Sequence, residues 1–107
     1  MDYNINITPS FERSAKPLIK KYKSFKDDLT GLIEALHKKP IQGISLGKDC
    51  YKIRLSITSK GKGKSGGARV IILLRSEEKN IFLLTIYDKS VKEDISDAEL
   101  NKLVDCL

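Results

Sequence analysis

The sequence predicts an α+β domain, and three observations carry the prediction. "YNINI" (residues 3–7) and "CYKIRLSIT" (residues 50–58) alternate apolar and polar side chains with a period of two, the pattern of strands. Two segments between Thr8 and Pro40 instead place apolar residues three and four apart, the pattern of helices. The resulting order is strand, helix, helix, strand, strand, strand, helix, so the helix pair can cover one face of a sheet. The chain has 107 residues, no internal repeat and no interdomain linker. It therefore reads as one domain over residues 1–107, with two N-terminal helices on a four-stranded, mainly antiparallel sheet and a short C-terminal helix.

Each element has its own signal. In the first strand Tyr3, Ile5 and Ile7 share a face. Thr8 is a cap and Pro9 suits the first helical position, where its missing N–H has no partner to lose. Phe11, Ala15, Leu18, Ile19 and Tyr22 then form one stripe, interrupted by Pro17, which should kink the helix or shift its start. The second helix opens at Ser24, with Asp27 three residues on, close to a capping box. Phe25, Leu29, Leu32, Ile33 and Leu36 line it; Lys38 and Lys39 complement its dipole and Pro40 stops it. His37 falls on its polar flank. "PIQGISLGKD" (residues 40–49) reads as loop.

In "CYKIRLSIT" Tyr51, Ile53, Leu55 and Ile57 face one side, and Lys52, Arg54 and Ser56 the other. "ARVIILLR" (residues 68–75) is apolar almost throughout, as expected of a central strand buried on both faces. "NIFLLTIYDKS" (residues 80–90) follows through the turn "SEEKN", an antiparallel hairpin. In the tail, Ser96 and Glu99 make a capping box ahead of Leu100, Leu103, Val104 and Leu107.

The composition narrows the function classes. Lysine and arginine number 20 against 14 acids, a formal net charge of +6, which suits a polyanionic partner. Cys50 and Cys106 lie far apart in no metal-binding pattern, and His37 is the one histidine, so no metal or other cofactor is expected. Two free thiols, no apolar run near the ~18 residues that span a bilayer and no signal-peptide pattern together predict a cytoplasmic protein that engages no membrane.

The segment "TSKGKGKSGGAR" (residues 58–69) carries the chemistry. It holds four glycines and the cations Lys60, Lys62, Lys64 and Arg69, and no acid occurs from Ser59 to Ser76. "GKS" at residues 63–65 hints at a phosphate-binding loop, but that motif needs a glycine where Thr58 stands, and it opens a helix rather than a strand. Two readings stay open from the residues alone. One is a solvated hairpin tip. The other is a clamp on a nucleic-acid backbone, in which lysines meet phosphates and glycines let the main chain approach. Arg69 opens the apolar strand, where packing holds its stem and sets it to brace a phosphoryl group.

"YKIRLSITSKGKGKSGGARVIILL" followed by "IFLLTIYDKSVKEDISDAEL" resembles the RelE/ParE superfamily of bacterial toxins, in particular a HigB-like, RelE-type branch. "SFERSAKPLIKKYKSFKDDL" is similar to that branch's paired helices. The resemblance covers nearly the whole chain. It implies a type II toxin that cleaves mRNA in the A site of the 70S ribosome, without a metal, and that a cognate antitoxin neutralises; operator DNA would be met only through the toxin–antitoxin complex. It also implies roles. Arg69 would stabilise the phosphate, and Lys64 and Lys62 would bind the backbone or move protons. Tyr87 would stack on a base or move a proton. Lys89 stands where other members carry arginine or histidine and would be the leaving-group acid. Lys60, Arg54 and Lys52 would contact RNA or the ribosome. Asp88 would orient Lys89 or Arg69, or cap the turn. Lys16, Lys20 and Lys21 would face rRNA or simply solvent. Two other functions stay open on the same fold: a ParE-like inhibitor of DNA gyrase, and a non-catalytic binding module.

Overall fold

The computed structural model describes residues 3–60 and 67–107. Strand β1 (Asn4–Ile7) leads into helices α1 (Pro9–Lys21) and α2 (Phe25–Lys38). Strands β2 (Ile44–Gly47), β3 (Cys50–Leu55), β4 (Ala68–Arg75) and β5 (Asn80–Asp88) follow, and α3 (Asp97–Asp105) closes the chain. The sheet has five strands in the order β1-β5-β4-β3-β2, with β1 parallel to β5 and the other pairs antiparallel.

The fifth strand corrects the four-stranded expectation. β2 lies inside the segment read as loop and pairs with β3 through a two-residue turn, with Gly47 opposite Cys50. Lys48 and Asp49 both hold left-handed backbone, φ 55° and 63°, as a tight hairpin turn requires. At Gly43, φ is 82° and a β-carbon would sit 2.2 Å from the Lys52 carbonyl oxygen, so no other residue fits that approach.

Seven of the eight residues of β4 are buried, because helices α1 and α2 cover one face of the sheet and α3 part of the other. The larger core joins Phe11, Leu18, Phe25, Leu32 and Leu36 to Val70, Ile72, Leu83 and Ile86. The smaller one holds Cys50, Ile71, Leu73, Leu84, Tyr87 and Leu100. Thr8 caps α1, its hydroxyl accepting from the Phe11 N–H at 3.2 Å and donating to the Leu83 carbonyl at 2.7 Å. Helix α1 runs unbroken through Pro17. The proline lies on its solvent face, where water can serve the carbonyl freed on the preceding turn. Ser96 and Glu99 form the expected capping box of α3.

Ser24 does not cap α2 with its side chain, and Asp27 completes no capping box. The Ser24 hydroxyl is instead committed to Asp28 and Ser59. His37 lies half-buried beside β1; its Nδ1 is 2.6 Å from the Tyr3 carbonyl, and the Tyr3 N–H donates to the His37 carbonyl. That pair of contacts fastens the first strand to the end of α2.

Candidate active site

Strand register assembles the site. Arg54 of β3 pairs with Arg69 of β4, and Arg69 pairs with Tyr87 of β5. Because side chains alternate across a sheet, this row of three lies on one face, the face of the smaller core. Lys52, two residues before Arg54, adds a fourth polar group to the same face, opposite Ile71. Neighbouring strands lie about 4.8 Å apart, so the three side chains of the row span roughly 10 Å, on the scale of one or two phosphate spacings.

Arg69 is 8% exposed. Its Nη1 donates to the Ala68 carbonyl at 3.2 Å, and among the described residues no carboxylate forms an ion pair with it. A guanidinium held by packing, with no ion-pair partner among the described residues, can meet an anion without first breaking an ion pair. Arg54 beside it is exposed.

Tyr87 is nearly buried. Burial first, then the negative charge of Asp94 and a hydrogen bond to it, push its phenol up to about 12, while Arg69 pulls the other way. The phenol is therefore neutral at physiological pH and can donate a proton or hydrogen bond, but it cannot serve as a ready base. Lys92 stands over its ring, 5.6 Å from the centroid. Asp94 joins two members of the site, since its Oδ1 accepts from the Lys52 ammonium at 3.2 Å and from the Tyr87 hydroxyl at 3.4 Å. A hydrogen bond from the Ile95 N–H, then those from Lys52, hold the Asp94 carboxyl below its ordinary range.

The glycine–lysine segment leaves and enters the sheet beside this row. At its start, Thr58–Lys60 form a 3-10 turn tied to the beginning of α2. Asp28 accepts from the Thr58 N–H (2.9 Å) and hydroxyl (2.7 Å), and the Ser24 hydroxyl accepts from the Ser59 N–H (2.7 Å). At Asp28 burial pushes upward, but the bonds from Thr58 and Ser24 outweigh it and leave the carboxyl below its ordinary value. At the other end a β-carbon on Gly67 would lie 2.3 Å from the Leu55 carbonyl oxygen, so the chain can enter β4 there only as glycine. The Lys89 N–H donates to the Gly67 carbonyl at 3.1 Å, which binds the end of β5 to the same point.

Of the residues singled out from the sequence, Arg69, Tyr87, Arg54 and Lys52 come together. Lys89 reaches the site through its backbone. Lys60 ends the 3-10 turn, and Lys62 and Lys64 lie outside the described residues. Asp88 closes the turn after β5, its Oδ1 accepting from the Ser90 N–H and hydroxyl, and its Oδ2 accepts from the Tyr22 hydroxyl at 2.6 Å. Asp94 and Lys92 were not foreseen. The signal available was the mixed-charge stretch "VKEDIS" (residues 91–96) directly after the last strand, but only a chain reversal brings it onto the site. Among the described residues, no group of three or more His, Cys, Asp or Glu side chains is placed to hold a metal ion, and no helix is long and apolar enough to cross a membrane.

The family model described as "RelE toxin of RelE / RelB toxin-antitoxin system" matches residues 5–106. The chain belongs to the RelE toxin family. Two solved RelE structures share its fold. One is the free state of an E. coli RelE toxin with two arginines replaced by alanine. It has 20% sequence identity and a TM-score of 0.62, and the match covers 100% of this chain and 99% of that one. The other is the isolated E. coli RelE toxin in a P21 crystal form, at 21% identity and a TM-score of 0.53, covering 98% and 99%. The family places this chain among the toxins of toxin–antitoxin systems.

Proposed function

We propose that this RelE-family toxin is a ribosome-dependent endoribonuclease that cleaves mRNA in the A site and so stops translation. In this reading it works in the cytoplasm and a cognate antitoxin holds it in check. The observation that carries the reading is the Arg54–Arg69–Tyr87 row, with a buried arginine that no described carboxylate neutralises, at the base of a lysine-rich segment.

The reaction is an internal transesterification. The 2′-oxygen forms a bond to phosphorus, the bond from phosphorus to the 5′-oxygen breaks, and a 2′,3′-cyclic phosphate is left. One proton leaves the 2′-hydroxyl and one must reach the departing 5′-oxygen. The phosphorus oxygens gain negative charge on the way, and Arg69 is the group placed to meet it. Tyr87, neutral at working pH, donates to a phosphate oxygen or to the leaving oxygen. Lys52 and Arg54, both on β3, hold the RNA backbone beside Arg69. The base for the 2′-hydroxyl falls to Lys62 or Lys64, and Lys89, at the end of β5, is the second acid in this reading.

The test is primer extension on a defined mRNA programmed on bacterial ribosomes, with the wild-type protein and with Arg69→Ala. Cuts at A-site codons that need the ribosome and disappear in the variant are expected. No cuts with the wild type would contradict the reading and shift weight to gyrase inhibition or plain binding.

A further inference from the structure

Asp94 occupies a place that the proposed reaction reserves for phosphate. Its Oδ1 lies 3.2 Å from the Lys52 ammonium and 3.4 Å from the Tyr87 hydroxyl, two of the four groups gathered on this face. A carboxylate and a phosphodiester offer these donors the same thing, an anionic oxygen at hydrogen-bonding distance. The Lys52 side chain is 21% exposed and that of Asp94 61%, so the carboxylate approaches from the solvent side and covers what lies beneath. Arg54 and Arg69, in the adjoining row, carry no such carboxylate among the described residues.

The segment that delivers Asp94 is lightly held. It turns at the end of β5, where the Val91 and Lys92 N–H groups both meet the Asp88 carbonyl, and Val91 is 79% exposed. Beyond it α3 has anchors of its own. Leu100 is buried against the sheet and Lys48 bonds Asn101, while Lys92, in the segment itself, bonds Glu99. Asp94 can therefore leave Lys52 and Tyr87 while α3 stays seated.

We propose that Asp94 is an internal competitor for the phosphate: in the free protein its carboxylate holds Lys52 and Tyr87, and RNA binds by displacing it. The proposal rests on the reading of this face as an RNA site and adds a control on that site. It differs in sign from a supporting role. If Asp94 served to position Tyr87 and Lys52, removing its charge would weaken RNA binding; as a competitor, its removal strengthens binding.

The test is fluorescence anisotropy of a short labelled single-stranded RNA titrated with the full chain at constant salt. Asp94→Asn is expected to bind about two- to fivefold more tightly than the wild type, the range that displacement of a part-exposed ion pair gives. Glu93→Gln removes the same charge one residue away, from a side chain that bonds neither Lys52 nor Tyr87, and is expected to change affinity by less than half as much. In a Lys52→Ala background the gain from Asp94→Asn shrinks, because the pair it releases is gone. An Asp94→Asn protein that binds no tighter, or a Glu93→Gln protein that gains as much, overturns the proposal while the RNA-site reading stands. If neither wild type nor Asp94→Asn binds the free RNA, the proposal fails, and the RNA-site reading is decided by the cleavage test on ribosomes.

Discussion

Strand β4 presents Val70, Ile72 and Leu74 to one face of the sheet and Arg69, Ile71 and Leu73 to the other, and the two faces are finished differently. On the first, α1 and α2 lay down a continuous apolar layer with Phe25 and Leu36 at 0% exposure. On the second, α3 covers only part. There Cys50, Ile71, Leu73, Leu84, Leu100 and Tyr87 pack, and Lys52, Arg54 and Arg69 lie on the same face beside them. The first face gains free energy from burial. The second holds Arg69, with which no carboxylate among the described residues forms an ion pair, so its charge gains no such partner on folding. In the proposed reading, stability and chemistry are thus divided between the two sides of one strand.

The division breaks most sharply where the first face is cut. Phe25→Ala should cost about 3–5 kcal/mol, a large share of the stability of a domain this size, and should show as a much lower urea midpoint or as failure to fold. On the second face Tyr87→Phe keeps the ring and removes the donor. Ribosome-dependent cleavage should fall about a hundredfold, while the urea midpoint at neutral pH stays close to the wild type's. The same variant sharpens the comparison at high pH. The phenol's folded-state pKa is raised to about 12 from an ordinary 10. Its contribution to stability is therefore complete below pH 10 and lost as pH rises through 12. Urea midpoints measured across that window should fall more steeply for the wild type than for Tyr87→Phe.

Smaller effects are expected where the faces meet the chain's ends and turns. Ser96→Ala removes the α3 cap and should cost about 1 kcal/mol, read from the urea midpoint, with little effect on the core under α1 and α2. Asp28→Asn loosens the start of the glycine–lysine segment without touching either core. Its folded-state pKa is depressed, so its contribution is present above the ordinary carboxylate range and lost as pH falls through the folded value. At pH 7 the change in stability should stay under about 1 kcal/mol, while cleavage drops several-fold because the segment's anchor is gone.

Helices and the longer strands were legible because periodicity reports burial, and most of their residues are half or fully buried. β2 was not. It has four residues, exposed at three of them, and its turn is made by Lys48 and Asp49 rather than by glycine, so neither pattern nor turn chemistry announced it. Ser24 looked like a cap because its type suits one, but Ser59, thirty-five residues on, competes for the same hydroxyl. At the site, Arg69 stood out at the head of its apolar strand, and Tyr87 through the family resemblance. Their placement in one row with Arg54 depends on the register of two hairpins, and the contribution of Asp94 on a chain reversal after β5. Neither is written in any local pattern.

The central claim is that Arg69 serves the reaction and not the fold. Its most direct test is the single-turnover cleavage rate of Arg69→Ala on programmed ribosomes, measured beside its thermal midpoint. The account predicts a rate at least about a hundredfold below the wild type's, the loss seen when a transition-state charge donor is removed, with the midpoint unchanged or raised. A wild-type rate, or a rate that falls only in proportion to the unfolded fraction, would contradict it.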